Sequence, residues 1–570
     1  VGKRRIMSAI LAVCVMAVSG AASGAAQAEV SPGTYLAARA AGFAGDFSAA
    51  AEWFDTAIAE DPDNPYLIEN ALAAHVGLGD FVRARVLADQ ARDQGLNIQL
   101  ANMVQAAIAA GADDWAAILT DLDEGRRVAP LVDGLARAWA HLGAGAMTEA
   151  LTAFDAVIAE PGLMAFGLYH KGLALAAVGD FEGADAIFAM SPEQGFQRTR
   201  RSVLAHVAVM SQLGRNPEAV VLLDAVYGEE AEPAIAALRE RLMAGESIPY
   251  DFVNTAQEGL AEVYFSVAGS LLGEIEDAIV LTYARVALEI APDLTDARLV
   301  AAEALERMEQ YDIAAATYGA VSPDDPAFIS AELGRADVMR RAGEIGTAVE
   351  VLTALARSHP GLAVVEARLG DMLRRSDDMA GANAAYTRAL ALYAGDDPAL
   401  WLLHYMRGIT SHQMDDWPAA EGDFRRALEL NPGHPQVLNY LGYSLVERGE
   451  KLDEALTMIE EAVAGEPENG AIVDSLGWVY FSLGRYGEAV VQLERAAALE
   501  PVDPVINDHL GDAYWAVGRL REAEFQWMRA LSFEPEEAEA ERIRRKLELG
   551  LDAVLVEEGA APLSVANGGG

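Results

Sequence analysis

Cysteine is almost missing. Cys14 stands alone in 570 residues, which excludes a disulfide framework and any zinc site built from thiolates. Aromatic residues make up only 7% of the chain although 52% of it is hydrophobic, and alanine carries much of the difference. Positive charge is short as well, with 42 Lys and Arg against 87 Asp and Glu and a formal charge of −45. Nucleic acid and anionic membrane surfaces are therefore poor partners, since both need clustered cations. The usual catalytic and nucleotide signatures do not occur: there is no Walker phosphate loop, HExxH, G-x-S-x-G or EF-hand loop. The nine histidines are scattered, and His404 and His412 stand two helical turns apart, too far to share one ion unaided. No catalytic residue, metal or cofactor is assigned, and no small-molecule substrate is expected. What is present is enough apolar surface for a large core, which excludes wholesale disorder.

The first thirty residues have their own grammar. Lys3, Arg4 and Arg5 precede a thirteen-residue apolar stretch from Ile6 to Val18, and small residues follow to Ala26-Gln27-Ala28. This is the three-part pattern of a secretory signal peptide with cleavage after Ala28. Cys14 is a poor lipoprotein cysteine, because Val13 sits where a small residue is wanted and the apolar run continues past it. Cleavage removes three basic residues and no acidic one, so the excess rises to −48. No later stretch reaches eighteen uninterrupted apolar residues, and the mature chain is expected to lack a transmembrane segment. An exported protein of the periplasm or cell envelope is the expectation.

The rest of the chain repeats itself. Glycines recur at Gly408, Gly442, Gly477 and Gly511, and prolines at Pro432, Pro467, Pro501 and Pro535, all 34 or 35 residues apart. Between them stand paired alanines, Ala420 and Ala427, Ala455 and Ala462, Ala489 and Ala496, Ala523 and Ala530. A large residue lies inside each pair: Phe424, Ile459, Leu493 and Trp527. Small residues let two helices approach closely, and proline ends the second because it cannot continue a helix. Turn-like breaks follow the same rhythm at Gly45, Gly79, Asp113, Gly145, Gly179, Gly214, Gly273, Glu309, Gly343, Asp377, Asp415, Gly449, Gly484 and Gly518. That gives fourteen helix hairpins stacked as a solenoid.

These residues resemble the tetratricopeptide repeat (TPR) from about Ser31 to Pro535, most closely over 401–535. The resemblance implies an all-α, right-handed TPR α-solenoid of about 14 helix-turn-helix repeats whose first helices line a concave groove for protein or peptide ligands. Six segments are expected: a signal peptide at 1–28, a divergent N-terminal block at 29–227, an insertion or seam at 228–258, a C-terminal block at 259–535, a capping helix at 536–550 and a disordered tail at 551–570. The cap spaces Ala540, Ile543 and Leu547 at helical intervals among charges. Arg340-Arg341 and Arg374-Arg375 end first helices and suit the negative end of the helix dipole. Acidic pairs such as Asp113-Asp114, Asp396-Asp397 and Asp415-Asp416 are expected to cap helix N-termini rather than hold calcium.

By the family's groove offsets, the last four repeats present Tyr405, Ile409, Asn439, Tyr443, Asp474, Trp478, Phe481, Asp508, Asp512 and Trp515. The set is aromatic and acidic without a cation, which suits a partner segment with basic and apolar side chains. The plainer alternative is that Trp478 and Phe481 belong to the core between repeats. A carboxylate clamp is not supported, Asn439 being its one suggestive residue. The resulting expectation is a non-enzymatic scaffold or adaptor of the bacterial cell envelope. An accessory subunit that positions or regulates an envelope enzyme or assembly complex is the alternative.

Overall fold

A computed structural model describes residues 31–228, 233–393 and 397–563. The expected signal peptide with Cys14 and Ala28, and Asp396 of one acidic pair, lie outside them. The described residues hold 31 α-helices and no strand. Fourteen consecutive hairpins account for twenty-eight helices, with one single helix at Pro233–Met243 and a final pair at Glu537–Leu549 and Leu551–Glu557.

Each hairpin turns on a residue in the left-handed region, and the turn at Gly449 has a second one, Lys451, at φ 48°. All fourteen break residues have positive φ, from 54° at Asp113 to 84° at Gly343. This conformation lets the chain leave a helix while satisfying its last carbonyls. At Gly79, for example, Gly79 N–H donates to Val76 O at 2.9 Å and Asp80 N–H to His75 O at 2.8 Å. Four of the fourteen are not glycine: Asp113, Glu309, Asp377 and Asp415. The aspartate after the turn then starts the next helix. Asp46, Asp80, Asp114, Asp180, Asp378 and Asp416 each accept a backbone N–H three residues ahead, at 2.8 to 3.3 Å. In the pairs Asp113-Asp114 and Asp415-Asp416 the second aspartate is therefore the cap and the first the turn residue.

Within a hairpin the large residue of the second helix lies on the glycine of the first. A Cβ on Gly511 would sit 2.5 Å from Trp527, and one on Gly442 2.7 Å from Ile459; Gly408 and Gly477 face Phe424 and Leu493 in the same way. The alanines at 420, 427, 455, 462, 489, 496, 523 and 530 have no exposed surface.

The chain forms two compact units, Val1–Ala348 and Val349–Gly570. In the first, the groove expected of a solenoid is filled by the chain itself. Helix Ala256–Leu271 packs on Gln99–Gly111, Pro130–Gly143 and Met164–Ala177, and helix Asp277–Ile290 packs on Pro65–Leu78 and Gln99–Gly111. These are first helices of the second to fifth hairpins. Gly259 permits the approach, since a Cβ there would lie 2.3 Å from Trp139. A buried polar cluster fastens it: Arg201 Nε donates to Glu262 Oε2 at 2.9 Å, and the Tyr169 hydroxyl donates to Glu262 Oε1 at 2.7 Å. The expected seam at 228–258 is accordingly no boundary between units. Its residues Ile235, Leu242 and Ile248 pack on Val207, Met210 and Leu223, and the extra length carries the next hairpin back across the earlier ones.

In the second unit the last pair of helices closes the stack. Ala540 and Ile543 are buried as a cap requires. The expected tail from 551 begins instead as helix Leu551–Glu557, because Leu551 and Val554 bury their side chains in the core; residues 564–570 lie outside the described set.

Left-handed conformation costs an L-residue with no local hydrogen-bonding side chain about 1–2 kcal/mol, partly offset by the entropy glycine loses on folding. Glu309→Gly is therefore expected to stabilise the protein by roughly 0.5–1 kcal/mol, whereas Gly343→Ala destabilises it. Urea midpoints of the two variants check both signs.

Candidate functional site

The candidate groove residues stand on four successive first helices of the second unit: Trp401–Gln413, Pro435–Glu447, Gly470–Ser482 and Pro504–Ala516. Spacings of three, four and seven residues place each helix's set on one face. Tyr405 and Ile409 occupy the first, Asn439 and Tyr443 the second, Asp474, Trp478 and Phe481 the third, Asp508, Asp512 and Trp515 the fourth.

Their surroundings divide them into two groups. Tyr405, Ile409, Asn439, Tyr443, Trp478 and Phe481 are only partly buried. Tyr405 reaches the rings of Phe424 and Tyr440 at 6.0 Å each, so its body also joins two hairpins. Trp478 stacks on Phe481 at 4.8 Å and on His509 at 4.0 Å. Asn439 makes no hydrogen bond among the described residues, and its Oδ1 is buried without a donor. Burial raises the Tyr443 phenol well above its usual pKa, and the charges of Glu447, Asp474 and Glu539 add to the effect.

The second group is already engaged. Asp474 bonds His509 Nδ1 at 2.9 Å. Lys546, from the capping helix, donates to Asp508 Oδ2 at 2.7 Å and Asp512 Oδ1 at 2.7 Å, and its side chain has no exposed surface. Trp527 Nε1 also donates to Asp512 Oδ1, at 2.9 Å. Burial pushes the Asp512 carboxyl up, against the opposing charge of Lys546. Trp515 donates its indole N–H to Asp552 at 3.0 Å and lies under Gly550. The expected cation-free acidic lining is thus corrected. Asp508 and Asp512 bind the chain's own Lys546, and Asp474 bonds the His509 ring, because carboxylates this deeply buried need a partner.

Lys546 is inconspicuous in the sequence because it stands among the other charges of the capping helix. A signal was nevertheless present. Asp508 and Asp512 are four apart, so like charges share one helix face, an arrangement that repels unless a cation lies between.

Among the described residues no group of three or more His, Cys, Asp or Glu could hold a metal ion. His404 instead bonds Asp423 Oδ1 at 2.9 Å. No described helix is long and apolar enough to cross a membrane.

Hairpins stacked in this way, with half-buried aromatic side chains along successive first helices, define an α-solenoid. Residues 405–452 and 477–518 match family models described as tetratricopeptide repeat and TPR repeat. The chain thus carries tetratricopeptide repeats at these residues, and proteins built from such repeats generally act as protein-interaction scaffolds. It is 31% identical over 183 residues to a TPR repeat-containing protein of Pseudomonas aeruginosa, a match that covers 31% of this chain and 30% of that relative. Among solved structures it is similar to a tetratricopeptide repeat protein from Parabacteroides merdae, with 16% identity over 51% of this chain and 98% of the other, and a TM-score of 0.34. It is also similar to YrrB, described as a TPR protein with an unusual peptide-binding site, with 19% identity over 35% of this chain and 99% of the other, and a TM-score of 0.28.

Two outcomes test this geometry. Lys546→Met leaves two carboxylates facing each other and is expected to destabilise the second unit by about 3–5 kcal/mol; adding Asp508→Asn and Asp512→Asn restores most of the loss in urea unfolding. The second concerns His509, whose burial lowers its pKa but whose bond to Asp474 outweighs burial and raises it. A histidine pKa raised in the folded state adds stability below about pH 6.5, and the gain disappears as pH rises through the folded value. The stability gap between the native chain and His509→Gln should therefore be larger at about pH 6 than at about pH 9.

Proposed function

We propose that the second unit is a non-catalytic docking surface for a peptide or protein segment, held along Tyr405, Ile409, Asn439, Tyr443, Trp478 and Phe481. The observation that carries this reading is Asn439, a side-chain amide on that face with neither end bonded and its oxygen buried. A free amide can accept from and donate to a peptide backbone, while half-buried tyrosines offer large contact area at small entropic cost. In the first unit the first helices of the second to fifth hairpins are covered by Ala256–Ile290, so binding is assigned to the second. With Asp474, Asp508 and Asp512 engaged internally, a preference for basic ligands no longer rests on them. We place the protein in the bacterial cell envelope as a scaffold or adaptor, on the strength of the leader-like residues 1–28.

A photo-crosslinking amino acid tests the surface. Installed at Ile409 or Tyr443 it should trap the same partner from intact cells. At Met528, exposed on the opposite helix of a hairpin, it should not. Capture at Met528 alone overturns the proposal. N-terminal sequencing of the same material should begin at Glu29 if the leader is removed as expected.

A further inference from the structure

Cations are scarce in this chain, and in the second unit most of them are engaged, Arg357 and Arg521 being exceptions outside helix Ala363–Arg375. Arg388, Arg407, Arg425, Arg426, Arg448, Arg485, Arg519, Arg542, Arg544 and Arg545 each pair with a carboxylate. Arg495 and Arg529 reach backbone carbonyls. Helix Ala363–Arg375 departs from this pattern. Its acids are taken, Glu366 by Arg388 and Asp371 by the Tyr386 hydroxyl at 2.7 Å. Its three arginines, Arg368, Arg374 and Arg375, form no ion pair among the described residues. Arg374 Nε is buried with no acceptor, although the Tyr386 hydroxyl lies against the same guanidinium.

The helix also has a partly exposed face that is apolar at Val364 and Ala367 and charged at Asp371 and Arg374. Val364, Ala367, Asp371 and Arg374 follow one another at three- and four-residue steps, as Leu402, Tyr405 and Ile409 do on the next first helix. Val364 is 45% exposed and Leu402 44%. Tyr405 lies close enough to Arg374 to feel its charge. An exposed aliphatic strip therefore ends at a guanidinium in no ion pair, beside an Asp371 carboxylate held by the Tyr386 hydroxyl, in a molecule with about two acids for every base. Within a Debye length of about 8 Å the local cation, not the net charge, decides what is attracted.

We propose that this end of the concave face docks a protein segment that presents a side-chain carboxylate beside apolar residues, the carboxylate bonding Arg374 and the apolar side chains lying on Val364, Leu402 and Tyr405. The proposal rests on the docking surface described above and names the chemistry of the partner at one end of it. A charged hydrogen bond in a half-buried setting gives selectivity for the acid over its amide.

Random fifteen-residue peptides displayed on phage and selected on the immobilised full-length protein provide the probe. Enriched peptides should carry an Asp or Glu at fixed spacing from two or more aliphatic or aromatic residues. For a synthesised peptide, changing that acid to its amide should weaken binding to the native protein about tenfold, a difference of about 1.4 kcal/mol. The same change should alter binding to Arg374→Met by less than about twofold. Arg374→Lys, which keeps the charge but loses the planar fork, should fall between the two. Enriched peptides with no preferred acid overturn the proposal, as does an equal acid-to-amide loss on the native and Arg374→Met proteins; both outcomes leave the docking surface standing. Failure to enrich any peptide that competes with crosslinking at Tyr443 overturns the docking surface itself, and this inference with it. Circular dichroism of both variants shows whether the fold is intact, and Arg375→Met controls for the loss of one positive charge.

Discussion

Close approach of two helices inside each hairpin is the constraint on which the structure depends. In the last four repeats a glycine on the first helix takes the weight of a large side chain from the second, and alanines on either side remove the bulk that would hold the backbones apart. Dispersion contacts along such a seam are individually small, but a hairpin repeated fourteen times sums them over the length of the chain. Composition follows from this. A fold that brings helices together over small side chains needs much alanine, needs few aromatics, and has no use for disulfides.

The two units resolve the same architectural problem differently. A solenoid leaves the first helices of its hairpins facing an open hollow, and an alanine-rich hollow is apolar. In the first unit the hairpin Ala256–Ile290 lies in it and brings Glu262 to Arg201 and Tyr169, so little is left for a partner. In the second unit the corresponding face carries side chains of mixed character, some satisfied by the capping helix and some not. The difference in packing between the two blocks follows from where the chain doubles back.

Local chemistry was legible in the sequence; long-range chemistry was not. The turn residues could be read because left-handed φ is a property of single positions, marked by glycine or by aspartate beside an aspartate cap. Glu309 was found only through its interval, since glutamate has no such preference. The doubling back of Ala256–Leu271 left no periodic trace, because burial on a second face merely adds alanines and glycines to a helix already rich in them. Leu551–Glu557 reads as the start of a polar tail because its helix is held by the burial of Leu551 and Val554 rather than by caps. In the candidate site the aromatic positions fell where the repeat placed them, but the state of the acids did not. Whether Asp512 faces water or a buried lysine depends on a residue 34 positions later, in a different element.

That separation has a bearing on how the chain matures. During synthesis Asp508 and Asp512 emerge well before Lys546, and the last repeat cannot bury them as a charged pair until the lysine arrives. A chain ending between residues 512 and 546 would lack the cation that holds these two carboxylates together.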